Sequence, residues 1–268
     1  MLSLFRRIRQ KLVAGNPRAG RYLLYAFGEI ALVVIGILIA LQVDTWNTRR
    51  QDRKEARVFL NRLKEEFLTN REQLAQKVMM RDRALNAARE LLRFTDGTSE
   101  VNTRAQVDSL LAITLPVYTF DPSLGVLHQL TSTDKLTLIE NEALNDELSL
   151  WDAMIEDFKE DEDMYNSYNH NHFRPFLYKN YSGRNLINMR IRNRVISPIL
   201  LSSPELVNQE IGFSAHPAEV DALKTSREFE NYLAFVVSWL SLINTQSDGI
   251  LQYIDRVVEI IDQDLKED

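Results

Sequence analysis

Glu29 is the single charged residue in Tyr22 to Val43, a run of 22 mostly apolar residues. By helical rise it falls roughly 10 Å from the start of that run. An ionisable group at such a depth in a bilayer is costly and by default marks a functional position. Gly36 and Ala40 share its helix face, and Gly36-x-x-x-Ala40 is a small-xxx-small pair that lets a second helix approach closely. Two readings stay open. In one, Glu29, Gly36 and Ala40 form a face for self-association or for a partner membrane helix, with Glu29 hydrogen-bonded across it. In the other, Glu29 snorkels to the nearer headgroups and the glycine is incidental. A proton-coupled role for Glu29 has the same motive and less support.

Other residue groups with chemical potential are weaker. Glu156 to Asp163 (EDFKEDED) packs carboxylates that a calcium ion would accept, but it lacks the loop glycine and ligand spacing of a calcium-binding hand. A solvated helix face is the favoured reading. His170 and His172 stand at i, i+2, whereas two histidines binding metal from one helix stand at i, i+4, so exposed side chains are expected. Arg190, Arg192 and Arg194 would line an anion pocket only on an extended backbone, and solvent exposure is favoured. His128 lies in an apolar stretch where packing is the default, and His216 has no nucleophile near it in sequence. There is no GxSxG, HExxH, GxxxxGK[ST] or GxGxxG, and the absence of cysteine removes thiol nucleophiles, thiolate metal sites and disulfides. No enzyme activity, cofactor or metal is expected.

The apolar run spans about 33 Å as a helix, enough for a hydrocarbon core of about 30 Å. Tyr22, Tyr25 and Trp46 stand where interfacial aromatic belts form. The run exceeds a signal peptide's apolar region of about 7 to 15 residues, and no small-x-small site follows it. Ile30 to Leu41 is apolar or glycine on every face, which argues against a buried core helix. A transmembrane helix over 22–43 is therefore expected. The arm over 1–21 carries Arg6, Arg7, Arg9, Lys11, Arg18 and Arg21 and no acid, suiting contact with anionic headgroups. The net charge of −6 makes the rest acidic, which disfavours nucleic acid as a partner. Basic residues within reach of the two ends are equal in number, so positive-inside counting ties. The purely basic short arm tips the reading towards a cytoplasmic amino terminus and a periplasmic carboxy-terminal domain.

The elements that would position these residues are helical. Ala56, Leu60, Leu63, Phe67, Leu74, Val78, Leu85, Ala88 and Leu92 step by threes, fours and sevens, interrupted by Arg71 and Arg81. No Pro or Gly lies between Ile37 and Thr95, so the membrane helix is expected to continue through a stalk over 44–95, ending at Asp96-Gly97. A bundle domain follows over 96–268. It holds a short helix from Asn102 to Ile113 and another started by Asp121 as N-cap with Pro122 in its first turn. A longer helix then begins near Asn141 and breaks or kinks at Arg174-Pro175. The stretch 180–217 loses periodicity. Phe229, Leu233, Val236, Leu240, Ile243, Ser247, Ile250, Ile254, Val257 and Ile261 follow a heptad step within a final helix over 226–266. Asn231 to Ser247 lacks charge but is too polar for lipid. The fold class is all-α: one amino-terminal membrane helix continuing into an elongated antiparallel bundle.

Three segments resemble a family of uncharacterised single-span bacterial membrane proteins, a domain of unknown function common in Bacteroidota. They are YLLYAFGEIALVVIGILIALQV with Trp46-Asn47, FDPSLGVLHQLTSTDKLTLIENEAL with Trp151 and the acidic run, and ENYLAFVVSWL. Val43-Asp44-Thr45 departs from the Ile-Asn-Asn expected after the anchor. The resemblance implies a single-span membrane protein and nothing catalytic, and the expected location is the bacterial inner membrane. The expected function is a non-catalytic interaction or sensor-like module, with lipid and a homo-oligomer or partner helix as partners. The alternative is a membrane-tethered enzyme or small-ligand sensor, with a site near 180–217 or between bundle helices.

Overall fold

The computed structural model of the chain describes residues 17–133, 135–193, 210–216 and 220–267, with side chains between 26 and 266. Every regular element among them is helical. In order they are α1 (Pro17–Thr95), α2 (Arg104–Thr114), α3 (Gly125–Ser132), a 3-10 turn (Lys135–Leu138), α4 (Glu142–Tyr168), a π turn (Asn169–Phe173), α5 (Arg174–Asn180), α6 (Gly183–Arg192), α7 (Val220–Lys224) and α8 (Arg227–Glu267). The chain divides into two compact units, Met1–Val58 and Phe59–Asp268.

The described part of the first unit is the part of helix α1 over 17–58. Its most apolar 18-residue window has a mean hydropathy of 2.4 and no buried residue, which makes it long and apolar enough to cross a bilayer. Phe27, Ile30, Leu38 and Leu41 are all exposed there.

In the second unit, α1, α4 and α8 form the core. Lys64 pairs with Asp262, Arg71 with Asp255, and Asn244 donates to Asp82, so residue numbers fall along α8 as they rise along α1. These two helices are antiparallel. Phe67 meets Trp151 and Arg81 meets Glu162, both rising, so α4 runs parallel to α1. Trp151 lies between Phe67 at 4.9 Å and Tyr253 at 5.7 Å between ring centroids, tying the three helices at one level. All ten heptad positions from Phe229 to Ile261 are buried, and Ser247 satisfies its hydroxyl by donating to the Ile243 carbonyl one turn back.

Local chemistry explains the boundaries. Gly97 takes φ +72°, and the Thr98 and Gly97 amides donate to the Arg93 and Phe94 carbonyls, closing α1 with a Schellman motif. Thr103 and Gln106 form a capping box at α2, which starts at Arg104 where Asn102 was expected. Asn141 caps α4 through the Leu144 amide. The expected break at Arg174-Pro175 takes a different form. One π turn precedes it, with the Arg174 amide bonding the Asn169 carbonyl, and α5 resumes with proline in its first turn, where no amide is needed.

The start of α3 is a correction. Asp121 does not cap it and Pro122 is not in it, because residues 120–124 are non-helical and α3 begins at Gly125 with no side-chain cap from its own segment. The missing acceptor comes from α1. Glu66 accepts the Val126 and Leu127 amides through its two carboxylate oxygens at 2.9 and 3.3 Å, and the Ser123 hydroxyl at 3.0 Å. A carboxylate at a helix amino terminus is favoured whichever element supplies it.

Candidate functional site

The chain between α2 and α3 is held by side chains from three helices. Arg174 of α5 donates to the Leu115 carbonyl at 2.8 Å. Glu162 of α4 accepts the Phe120 amide at 2.9 Å. Asn70 of α1 brackets Ser123, accepting its amide at 2.7 Å and donating to its carbonyl at 2.8 Å. Glu66 then caps the helix that follows. This crossover has no internal hydrogen-bond ladder, so polar groups reaching out of the core take its backbone.

Its centre is a buried ion pair. Arg81 is 1% exposed and Glu162 2%, and their closest approach, Nη1 to Oε1, is 3.4 Å and lies outside hydrogen-bond geometry. Arg81 Nε donates to the Lys77 carbonyl, while neither Nη finds an acceptor among the described residues. The guanidinium sits 5.7 Å from the Phe158 ring centroid. Pro116, Val117 and Tyr118 line a void beside the pair that is too tight for a water molecule. Burial dominates the electrostatics here. It pulls the Arg81 guanidinium below its usual range and pushes the Glu162 carboxyl up to about 7, against the opposing pull of Arg81 and the Phe120 amide. Two buried charges at imperfect geometry recover only part of their desolvation cost.

A second polar network joins α2 to α6. Buried Asp108 accepts the Tyr181 hydroxyl at 2.7 Å and the Asn185 amide at 3.3 Å. Burial raises the Asp108 carboxyl and the Tyr181 hydroxyl alike. Asn188 accepts the Ile211 amide and donates to the Gly212 carbonyl, and Asn185 accepts the Ser214 amide. Arg184 donates to the carbonyls of Ile211 and Gly212, and Arg192 pairs with Glu210 at 2.9 Å. The segment 210–216 is thus fastened along α6.

Beside it lies an open cleft of about 710 Å³, lined in part by Lys179, Ser182, Arg184, His216 and Glu228. Many of its polar groups already have partners. Ser182 and Ser226 accept helix amides, and Tyr181 is committed to Asp108.

The residues singled out in the sequence fall mostly elsewhere. Glu29, Gly36 and Ala40 are exposed on α1, and a side chain added at Gly36 would meet nothing within 4 Å. Arg6, Arg7, Arg9 and Lys11 lie outside the described residues, as do the side chains of Arg18 and Arg21 on the α1 backbone. Arg194 and most of 194–217 lie outside them too. His170 and His172 are exposed on the π turn, and Arg190 and Arg192 are on a helix and not on an extended strand. His128 is not packed; it is exposed, 3.8 Å from Asp152. The acidic run is a solvated face except at half-buried Asp161, which accepts the Gln246 side-chain amide, and at buried Glu162, which sequence reasoning missed. The signal was present, because Glu162 continues the 4-3 step of Leu144, Leu148, Trp151, Ile155 and Phe158 that Tyr165 completes. An acid at a heptad core position on α4 and a base in the α1 stripe are a matched pair of exceptions.

These features define an all-α protein with a long helix whose apolar stretch is unburied and a bundle that buries the Arg81–Glu162 ion pair beneath a clasped crossover. The chain belongs to the family of unknown function DUF6090, which it matches over residues 29–170. That match runs from Glu29 in α1 to the π turn and includes Arg81, Glu66 and Glu162. No curated protein and no solved structure matches the chain.

Proposed function

We propose that this is a single-pass inner-membrane protein that presents a non-catalytic helical interaction or sensor-like domain on the periplasmic side. The observation that carries the reading is the apolar stretch of α1, with a mean hydropathy of 2.4 and no buried residue, on the same helix that supplies Leu60 to Leu91 to the bundle core. Water is a poor environment for that surface and lipid a good one. Association through Glu29, Gly36 and Ala40 would give the span a role beyond anchoring, and the basic arm would hold it to anionic headgroups.

Two experiments test the reading. Alkaline extraction should leave the full chain in the membrane fraction, and a compartment-sensitive reporter fused to the carboxy terminus should report the periplasm. Release by alkali would refute the anchor, and a cytoplasmic reporter signal would refute the orientation. Crosslinking in membranes should fall at least several-fold on Gly36→Leu, and unchanged oligomer yield would remove the association face.

The cleft beside α6 favours one second reading, a small-ligand sensor. Lys179, Arg184 and His216 there suit an anionic molecule, and a screen of small carboxylates and phosphates by thermal shift would support it with a hit that Lys179→Ala abolishes.

A further inference from the structure

Where its apolar stretch ends, helix α1 carries basic residues on one face and acidic residues away from it. Trp46, Arg49, Arg50 and Arg53 are spaced by three, four and seven residues, which puts them in one stripe. Asp44 stands two residues before Trp46 and Glu55 two after Arg53, so both fall about 200° round the helix from those neighbours. Asp52 borders the stripe three residues after Arg49. Among the described residues it makes no ion pair with that arginine, and none of the three arginines has a carboxylate within ion-pair distance. All four stripe residues are exposed, Trp46 at 63%. The Arg50 guanidinium lies over the Trp46 ring, 5.6 Å from its centroid, so indole and charge share one place.

Three arginines on one face without acidic partners suit an anionic surface, and their position along α1 decides which kind. Trp46, Arg49 and Arg50 stand about 5, 9 and 11 Å beyond Val43 by helical rise. Headgroups extend about 5–8 Å beyond the hydrocarbon, where an indole settles and long basic side chains bend back to meet phosphate. Arg53, about 15 Å out, is still within a Debye length of about 8 Å from the outer edge of that layer. An acidic protein surface would match the arginines alone. A headgroup layer also accounts for the indole beside the apolar run. We infer that Trp46, Arg49, Arg50 and Arg53 form a binding face for anionic phospholipid headgroups in the leaflet at the carboxy-terminal end of the span. The inference rests on the membrane span proposed above, and it concerns the leaflet opposite the one assigned to the 1–21 arm.

Trp46 itself reports which lipid lies at the stripe, because brominated acyl chains quench an indole they touch. The full chain is placed in nanodiscs of phosphatidylcholine and phosphatidylglycerol, with bromine on one lipid or the other. Trp46 emission is the difference between wild type and Trp46→Phe, since Trp151 and Trp239 also emit. At equal mole fraction, brominated phosphatidylglycerol should quench Trp46 at least about threefold more effectively than brominated phosphatidylcholine. The preference should fall to about one in Arg49→Gln/Arg50→Gln/Arg53→Gln, and in the wild type at about 1 M salt. Equal quenching by the two lipids in the wild type would overturn the headgroup face and leave the stripe to an acidic protein partner. A preference that survives in the triple variant would overturn it too. No quenching by either lipid would refute the span itself, and the stripe with it. The salt series on the wild type decides the matter even if the triple variant folds poorly.

Discussion

Glu66 and Glu162 show how single carboxylates organise a segment that has no structure of its own. Glu66→Ala strands the Val126 and Leu127 amides at the start of α3. Chemical unfolding of the full chain in detergent should show a loss of about 1–2 kcal/mol. Glu162→Leu leaves Arg81 buried without a partner and should cost about 3–5 kcal/mol, whereas adding Arg81→Met should restore most of it. If the double variant is as unstable as the single, the pair contributes more than mutual neutralisation. Asp108, also raised by burial, has the same sign of pH dependence as Glu162, favouring the folded bundle in mild acid. At this scale the sequence was only partly legible. Arg81 was visible as an interruption of an apolar stripe, but its partner was hidden inside a run of seven charges most of which are solvated. Glu66 could not be read as a cap because it acts 60 residues from the amide it satisfies.

At the scale of elements, periodicity carried most of the information. The heptad from Phe229 to Ile261 is buried throughout, because a helix packed along its length must repeat its contacts every three or four residues. The end of α1 was equally readable, since Gly97 supplies a left-handed residue that few others tolerate. What the sequence hid were elements set by tertiary contacts. Gly183 to Arg192 has a local start signal in its Ser182 cap, but its asparagines are taken up by Asp108 and segment 210–216, which are not local. The same logic separates two core substitutions. Leu74→Ala in α1 opens a cavity and should cost about 2–5 kcal/mol, while Ser247→Ala in α8 removes only a local hydroxyl bond and should stay within about 0.5 kcal/mol in the same unfolding assay. A large loss at Ser247 would mean that its hydroxyl serves more than its own helix.

For the whole molecule, the proposal that the apolar stretch of α1 is a membrane span governs every other proposal about partners. The chain has no cysteine, so single introduced thiols can be labelled without background. Leu150, 57% exposed on α4, gives a reporter for the bundle, Ile35 one for the centre of the apolar stretch, and Arg7 one for the basic arm. The most direct measurement is labelling of Leu150→Cys, Ile35→Cys and Arg7→Cys by a membrane-impermeant maleimide on intact spheroplasts and again after permeabilisation. The account predicts that Leu150→Cys reacts in both conditions, Arg7→Cys only after permeabilisation, and Ile35→Cys in neither until detergent dissolves the bilayer. Ready labelling of Ile35→Cys in intact membranes would contradict it.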